Sequence, residues 1–123
     1  NPDTLALAES LAREHGIARR GDISDTEIVE RLIYSMVNEG ARILEEGIAY
    51  RGSDIDVVWT AGYGFPDHAG GPMCLADQRG LAHVVERLDH YAQVRGNAHG
   101  YWNVSPLLRQ RAADGQPLSL GAN

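Results

Sequence analysis

Cysteine is almost missing from this chain: Cys74 stands alone, so no internal disulfide can form, which suits a reducing compartment and makes cytoplasmic the expected address. Long apolar runs are missing too. Nothing approaches the roughly 18 consecutive residues a membrane span needs, and the start carries no basic stretch leading into an apolar one. Clustered positive charge is equally scarce. The formal charge is −6, and Arg19-Arg20 is the one adjacent basic pair, with Arg109 and Arg111 well spaced later on. A phosphate-tracking surface needs more, so nucleic acid is excluded as a partner. Strand signals fail as well, since alternation of apolar and polar residues is confined to Ile55 to Trp59. What remains is ordinary soluble-domain material. With 43% hydrophobic and 23% charged residues the chain should fold, and 123 residues make one domain, too few for a nucleotide-binding domain plus a substrate domain. The start at Asn1-Pro2, without Met, suggests an internal boundary of a longer protein.

Helix punctuation organises the rest. Leu7, Ala8 and Leu11 predict a first helix over Leu5 to Glu14, stopped by Gly16. Ser24-Asp25-Thr26-Glu27 is a capping box that opens a second helix of about five turns, ending at Gly47. Its apolar stripe is expected at Ile28, Ile33, Leu32, Met36, Val37, Ala41 and Leu44, with Glu30, Arg31, Tyr34, Glu45 and Glu46 opposite. Gly40 inside that helix calls for the close approach of a second one. Ser53 is the expected cap of a short helix over Ile55 to Trp59. A loop from Gly62 to Pro72 follows, in which Gly62, Gly64, Pro66, Gly70, Gly71 and Pro72 act as structural breakers. Further helices are expected over Met73 to Gln78, over Leu81 to about Val94, and from Ser105-Pro106 to Asp114-Gly115. The fold expected is therefore all-α, a helical bundle: residues 1–23 an N-terminal helix and connector, 24–115 the helical body, and 116–123 a frayed tail.

Candidate chemistry is thin. Gly62-Tyr63-Gly64 lacks the third glycine of a dinucleotide fingerprint, since Asp67 stands there and no strand precedes it, so no cofactor-binding residue is assigned. Of the five histidines only His83 and His90 share a helix face, two turns apart and too far for one metal, so no metal ligand is assigned either; His90 is expected to pair with Glu86. Cys74 has no evident base and fits a half-buried helix-start thiol. Asp54 and Asp56 point in different directions on a helix, leaving Asp54 to favour the helix N-terminus. No catalytic residue is proposed. Asn38 and Glu39, polar and mid-helix beside Gly40, suit hydrogen bonding between helices or contact with a ligand.

A series of segments carries a resemblance: Glu27-Ile28-Val29-Glu30-Arg31-Leu32, Asn38-Glu39-Gly40-Ala41, Glu45-Glu46-Gly47-Ile48-Ala49, Ser53-Asp54-Ile55-Asp56, Gly62-Tyr63-Gly64-Phe65-Pro66 and Gly70-Gly71-Pro72-Met73. Ala76-Asp77, Gly80-Leu81, Tyr101-Trp102 and Pro106-Leu107-Leu108 complete it. Together they resemble the second C-terminal helical repeat of the multifunctional fatty-acid β-oxidation enzymes that join an enoyl-CoA hydratase to a 3-hydroxyacyl-CoA dehydrogenase. Asp67-His68-Ala69 departs from the bulky aromatic and basic residue that many relatives carry there. The resemblance implies a part of an enzyme, inactive alone. In the parent, NAD sits on a preceding Rossmann domain, and the catalytic His and Glu lie upstream of this segment. This segment would then have no cofactor of its own. Its implied partners are the preceding helical repeat, the Rossmann domain and the acyl-CoA substrate, with Asn38 the position that could touch substrate. Cut free, its apolar docking face should make it a homodimer. A free-standing helical interaction or dimerisation module is the other reading the residues allow.

Overall fold

The computed structural model describes residues 1–120 of the chain. Six α-helices follow one another: α1 (Pro2–Glu14), α2 (Asp25–Glu45), α3 (Gly52–Val57), α4 (Pro72–Arg79), α5 (Leu81–Arg95) and α6 (Pro106–Asp114). A π-helical turn, Val58–Gly62, prolongs α3, and 3-10 turns at Asp67–Ala69 and Ala98–Gly100 punctuate the connections. No strand occurs among the described residues. The fold is all-α.

The long α2 is the axis of the bundle. It packs against α3, α4, α5 and α6, while α3 lies on α4 and α5 on α6. Val37, Ala41, Met73, Ala76, Val84, Leu88 and Leu108 lose all solvent contact in the core between them, and Tyr91, Trp102 and Leu118 close its edges. Each such large side chain contributes about 1.5–3 kcal/mol by leaving water. Gly40 is the point of closest approach. A Cβ there would collide with the Met73 methyl group and press on its sulfur at 3.0 Å, so the missing side chain lets α4 seat against α2.

The ends of the helices follow the sequence closely. Ser24 Oγ accepts from the Glu27 N–H at 3.1 Å and Ser105 Oγ from the Leu108 N–H at 3.2 Å, with Pro106 opening α6. Gly47 and Gly115 take the left-handed conformation just past their helices. α1 starts earlier than Leu5, because the Asn1 side chain accepts from the Asp3 N–H and Pro2 fits the first turn.

Four expectations need correction. Glu30 and Tyr34 lie inside, at 7% and 4% exposure, whereas Ile28 and Leu32 lie outside at 46% and 62%. The buried stripe of α2 runs through Tyr34, Val37, Asn38, Ala41 and Leu44, and Glu30 extends it one turn because partners across the bundle satisfy its carboxylate. Second, Glu27 does not complete a capping box; arginines take its carboxylate. Third, α3 begins at Gly52 with Arg51 as its cap residue, and Arg51 pairs with Asp54 at 2.8 Å, so Ser53 is not the cap. Fourth, the described part of the expected frayed tail, residues 116–120, is docked, while 121–123 lie outside the described residues. Leu118 is 1% exposed, and the Leu118 and Ser119 N–H groups donate to the Asp77 carboxylate at 2.7 and 2.9 Å. Ser53 N–H in turn donates to the Ser119 carbonyl at 3.0 Å, and Gly52 leaves room for the Leu118 carbonyl.

Candidate functional site

Three buried polar junctions hold the helices and define what is left over for function. In the first, Glu30 on α2 accepts from the Tyr91 hydroxyl at 2.5 Å and from Arg87 Nε at 2.7 Å, both on α5. Arg87 also lies over the Tyr91 ring, 5.0 Å from its centre, and His83 Nε2 is 3.7 Å from the other carboxylate oxygen. Burial pushes the Glu30 carboxyl up, but the bonds from Tyr91 and Arg87 outweigh it and hold the group below the usual carboxylate range. This is a structural pair. Both hydrogen bonds fall on Glu30 Oε2, and both donors lie on the helix packed against it, so the carboxylate ties α2 to α5.

The second junction is at Asn38, 2% exposed. Its Nδ2 donates to the Asn103 carbonyl at 2.9 Å and its Oδ1 accepts from the Ser105 N–H at 2.8 Å, so one amide fixes the turn that leads into α6. Arg42 donates to the same Asn103 carbonyl at 2.6 Å and pairs with Glu39 at 3.2 Å. The third is at Asp56, buried where Asp54 two residues earlier is only half-buried, as helix geometry requires. Its two carboxylate oxygens accept from the N–H groups of Met73 and Cys74 at 2.7 and 3.0 Å, capping α4 from another helix. Burial raises the Asp56 carboxyl, and the two N–H bonds offset only part of that rise.

The glycine loop is arranged around this cap. Gly70 and Gly71 have φ of +74° and +107°, and a Cβ on Gly71 would strike the Asp56 carboxylate, so only glycine allows Asp56 to reach the start of α4. Pro72 is the first residue of that helix. Gly62 and Gly64 face open space. One consequence concerns nucleotides. The α4 N-terminus is where a phosphate would sit after such a loop, and its N–H groups are occupied by the protein's own carboxylate. The residues of this loop therefore do not fit a dinucleotide.

Other candidates separate in space. All five histidines are exposed, His90 edges onto Tyr91 with ring centres 5.4 Å apart, and Cys74 is partly buried with Gln78 Nε2 3.3 Å from its sulfur. Among the described residues no three His, Cys, Asp or Glu side chains gather to hold a metal. None of their helices is long and apolar enough to cross a membrane.

What the bundle does offer is uncovered apolar surface. A groove of about 700 Å³ runs beside α2, floored by Ile23, Ile28, Leu32, Tyr101 and Trp102, with Arg31 and Arg95 on its edge. Glu27 ties that edge together: it takes both arms of Arg20 at 2.8 and 3.0 Å, Arg95 at 2.9 Å and Arg31 at 3.5 Å. Those cations, the hydrogen bonds from Arg20 foremost, hold its carboxyl down at about 2. Across Tyr101 lies a second cleft, of about 500 Å³, bordered by Ser35, Asn38, Glu39, Arg42 and His99. Elsewhere Tyr50, Val57, Val58 and Tyr63 are all more than half exposed. Sequence periodicity assigned Ile28 and Leu32 to the core, so the groove was missed; Arg31 and Arg95, far apart in sequence, gave no signal.

Uncovered apolar surface is thus the main feature that the described residues leave available, and comparison with known proteins places the chain. Residues 28–118 match the 3-hydroxyacyl-CoA dehydrogenase, C-terminal domain family. The chain is 43% identical over 118 residues to the peroxisomal bifunctional enzyme of Danio rerio, covering 94% of this chain and 16% of that protein. It is 44% identical over 95 residues to the peroxisomal bifunctional enzyme of Homo sapiens, covering 77% and 13%. Against the peroxisomal fatty acid beta-oxidation multifunctional protein AIM1 of Arabidopsis thaliana the identity is 33% over 122 residues, covering 97% and 16%. The chain thus spans about a sixth of the length of these relatives.

Proposed function

The chain belongs to the family of 3-hydroxyacyl-CoA dehydrogenase C-terminal domains, and on that footing we propose that it serves as a helical segment of an NAD-dependent 3-hydroxyacyl-CoA dehydrogenase of fatty-acid β-oxidation. Its work is architectural. It packs against the preceding helical repeat and helps to shape the acyl-CoA cleft, while NAD and the catalytic pair belong to other parts of the parent. The observation that carries this reading is the pairing of a family match over most of the chain with buried polar groups spent on holding helices together and apolar surface left uncovered. Residues 1–23 form the entry helix and connector, 24–115 the repeat, and 116–123 its closing tail. The relatives' names support a peroxisomal address over the cytoplasmic one expected from the cysteine content.

Asn38 has a place in the finer part of the proposal. It borders the cleft beside Tyr101, so substrate contact would come from the edge of an amide whose main bonds already position Asn103 and Ser105. In isolation the segment associates with a second copy through surface that the parent covers.

Calorimetric titration of the chain with NADH and, separately, with acetoacetyl-CoA tests the reading. No heat with NADH and weak binding of acetoacetyl-CoA are expected. Tight NADH binding would overturn it, because the loop best placed to hold a dinucleotide is already capped by Asp56.

A further inference from the structure

The two shortest helices carry no cap of their own. α3 has six residues and α4 eight, too few to hold together unaided, and neither Arg51 nor Gly71 offers a side chain to the N–H groups that follow it. Ser24 and Ser105, by contrast, cap α2 and α6 from the adjoining position. The caps of α3 and α4 come from elsewhere, and their sources form a ring. At the start of α3 the Ser53 N–H donates to the Ser119 carbonyl at 3.0 Å. From α3, Asp56 accepts the Met73 and Cys74 N–H groups that open α4, at 2.7 and 3.0 Å. From the last turn of α4, Asp77 accepts the Leu118 and Ser119 N–H groups, at 2.7 and 2.9 Å, and the path returns to its beginning. Two of the three joints are shaped for glycine. A Cβ on Gly52 would strike the Leu118 carbonyl, and one on Gly71 the Asp56 carboxylate.

We infer that residues 118 and 119 are a strap that binds α3 and α4 into one cooperative unit, which opens as a whole while α2 and α5 stay folded. The reason lies in the closure of the ring. If the strap lifts, Ser53 loses its acceptor and the first turn of α3 loosens; Asp56 stands in the turn that follows, so the cap of α4 loosens with it. If α4 frays instead, Asp77 moves and the strap is released. No joint opens without weakening the other two. The rest of the bundle is held by separate bonds: the Glu30 and Asn38 junctions share no residue with the ring. The strap thereby fixes the Gly70-Gly71 turn at a distance, since its own hydrogen bonds go to Asp77 and Ser53 and Asp56 carries their effect to Gly71.

Amide hydrogen exchange followed by NMR on the full chain, native and Gly52→Ala, tests the inference under conditions where the rate reports the opening equilibrium. Helix propensity alone would have alanine firm up α3. In the native chain the amides of Ser53, Met73, Cys74, Leu118 and Ser119 should share one level of protection, lower than that of Val37 in α2 and Leu88 in α5. Gly52→Ala should lower all five by a common factor of at least about ten, the effect of losing one buried hydrogen-bonded group. Asp77→Asn keeps the shape and one acceptor oxygen, so it should lower the same five by a smaller common factor without any steric clash. Unchanged protection at Met73 and Cys74 in both variants, while the strap amides exchange faster, would mean independent caps and overturn the inference. So would a native chain in which Met73 and Cys74 are as protected as Val37, because the unit would then open only with the whole bundle.

Discussion

The segment before Ser24 and the bundle after it are both helical, yet they are held by different forces. α1 has an N-cap from Asn1, an ion pair from Glu9 to Arg19 in the connector and no buried residue; α2 has a glycine in its middle and two buried polar side chains, Glu30 and Asn38, and it is the backbone of the fold. Local propensity favours the first helix and packing the second. In this chain packing decides stability, because helices of this length gain most of it from a buried face and not from their own hydrogen bonds.

Breaking the packed side of this contrast should give the largest effect. Asp56→Ala removes the cap of α4 and strands two buried N–H groups, so it should destabilise the bundle by about 2–3 kcal/mol in urea unfolding. Gly40→Ala comes next and separates the two principles directly. Propensity alone predicts a gain of up to about 1 kcal/mol, whereas the collision with Met73 predicts a net loss of about 1–2 kcal/mol, and thermal unfolding reads the sign. The mirror-image change, Ala6→Gly in α1, should lower helix content slightly by circular dichroism yet change the unfolding free energy by no more than about 0.3 kcal/mol, since nothing in α1 is buried.

The bond between the two regions is electrostatic, and pH tests it. Glu27 has its folded value lowered to about 2 from 4.5, so its contribution is fully present above the unfolded value and is lost as pH falls through the folded one. Protection of the amides of residues 15–24 against hydrogen exchange, each rate taken relative to the intrinsic rate at that pH, should therefore fall between about pH 4.5 and 2, and Glu27→Gln should show the lowered protection already at neutral pH. Asp56 has the opposite sign. Its folded value is raised above the unfolded one, so its ionisation weakens the bundle as pH rises from the unfolded value through the folded one.

Helix existence and helix ends were legible in the sequence because their causes are local. Ser24, Ser105, Pro106, Gly47 and Gly115 act within four residues of themselves, and each does in the structure what its position implied. Even Gly40 announced a neighbour, though not that it was Met73. The facing of α2 was not legible over its first two turns. Ile28 and Leu32 continue the apolar period as well as Tyr34 does, and the choice between them depends on Arg87 and Tyr91, more than fifty residues away, which make Glu30 acceptable inside. Asp56 and Asp77 look like surface acids until the backbone N–H groups they serve are brought to them by the fold. The candidate groove was hidden for the same reason, being the surface that α2 exposes when its other side is chosen.

The seat of Leu118 and Ser119 has a consequence for the order of events during synthesis. The α3–α4 pair offers Asp77, Gly52 and Ser53 as a socket for these two residues, and that socket cannot be filled until they have cleared the ribosome. Residues 24–115 can collapse earlier, but with the Asp77 carboxylate and the Gly52 cradle facing water. Final locking thus waits for residues 118 and 119, and a chain cut just before them would leave the bundle with an open seam.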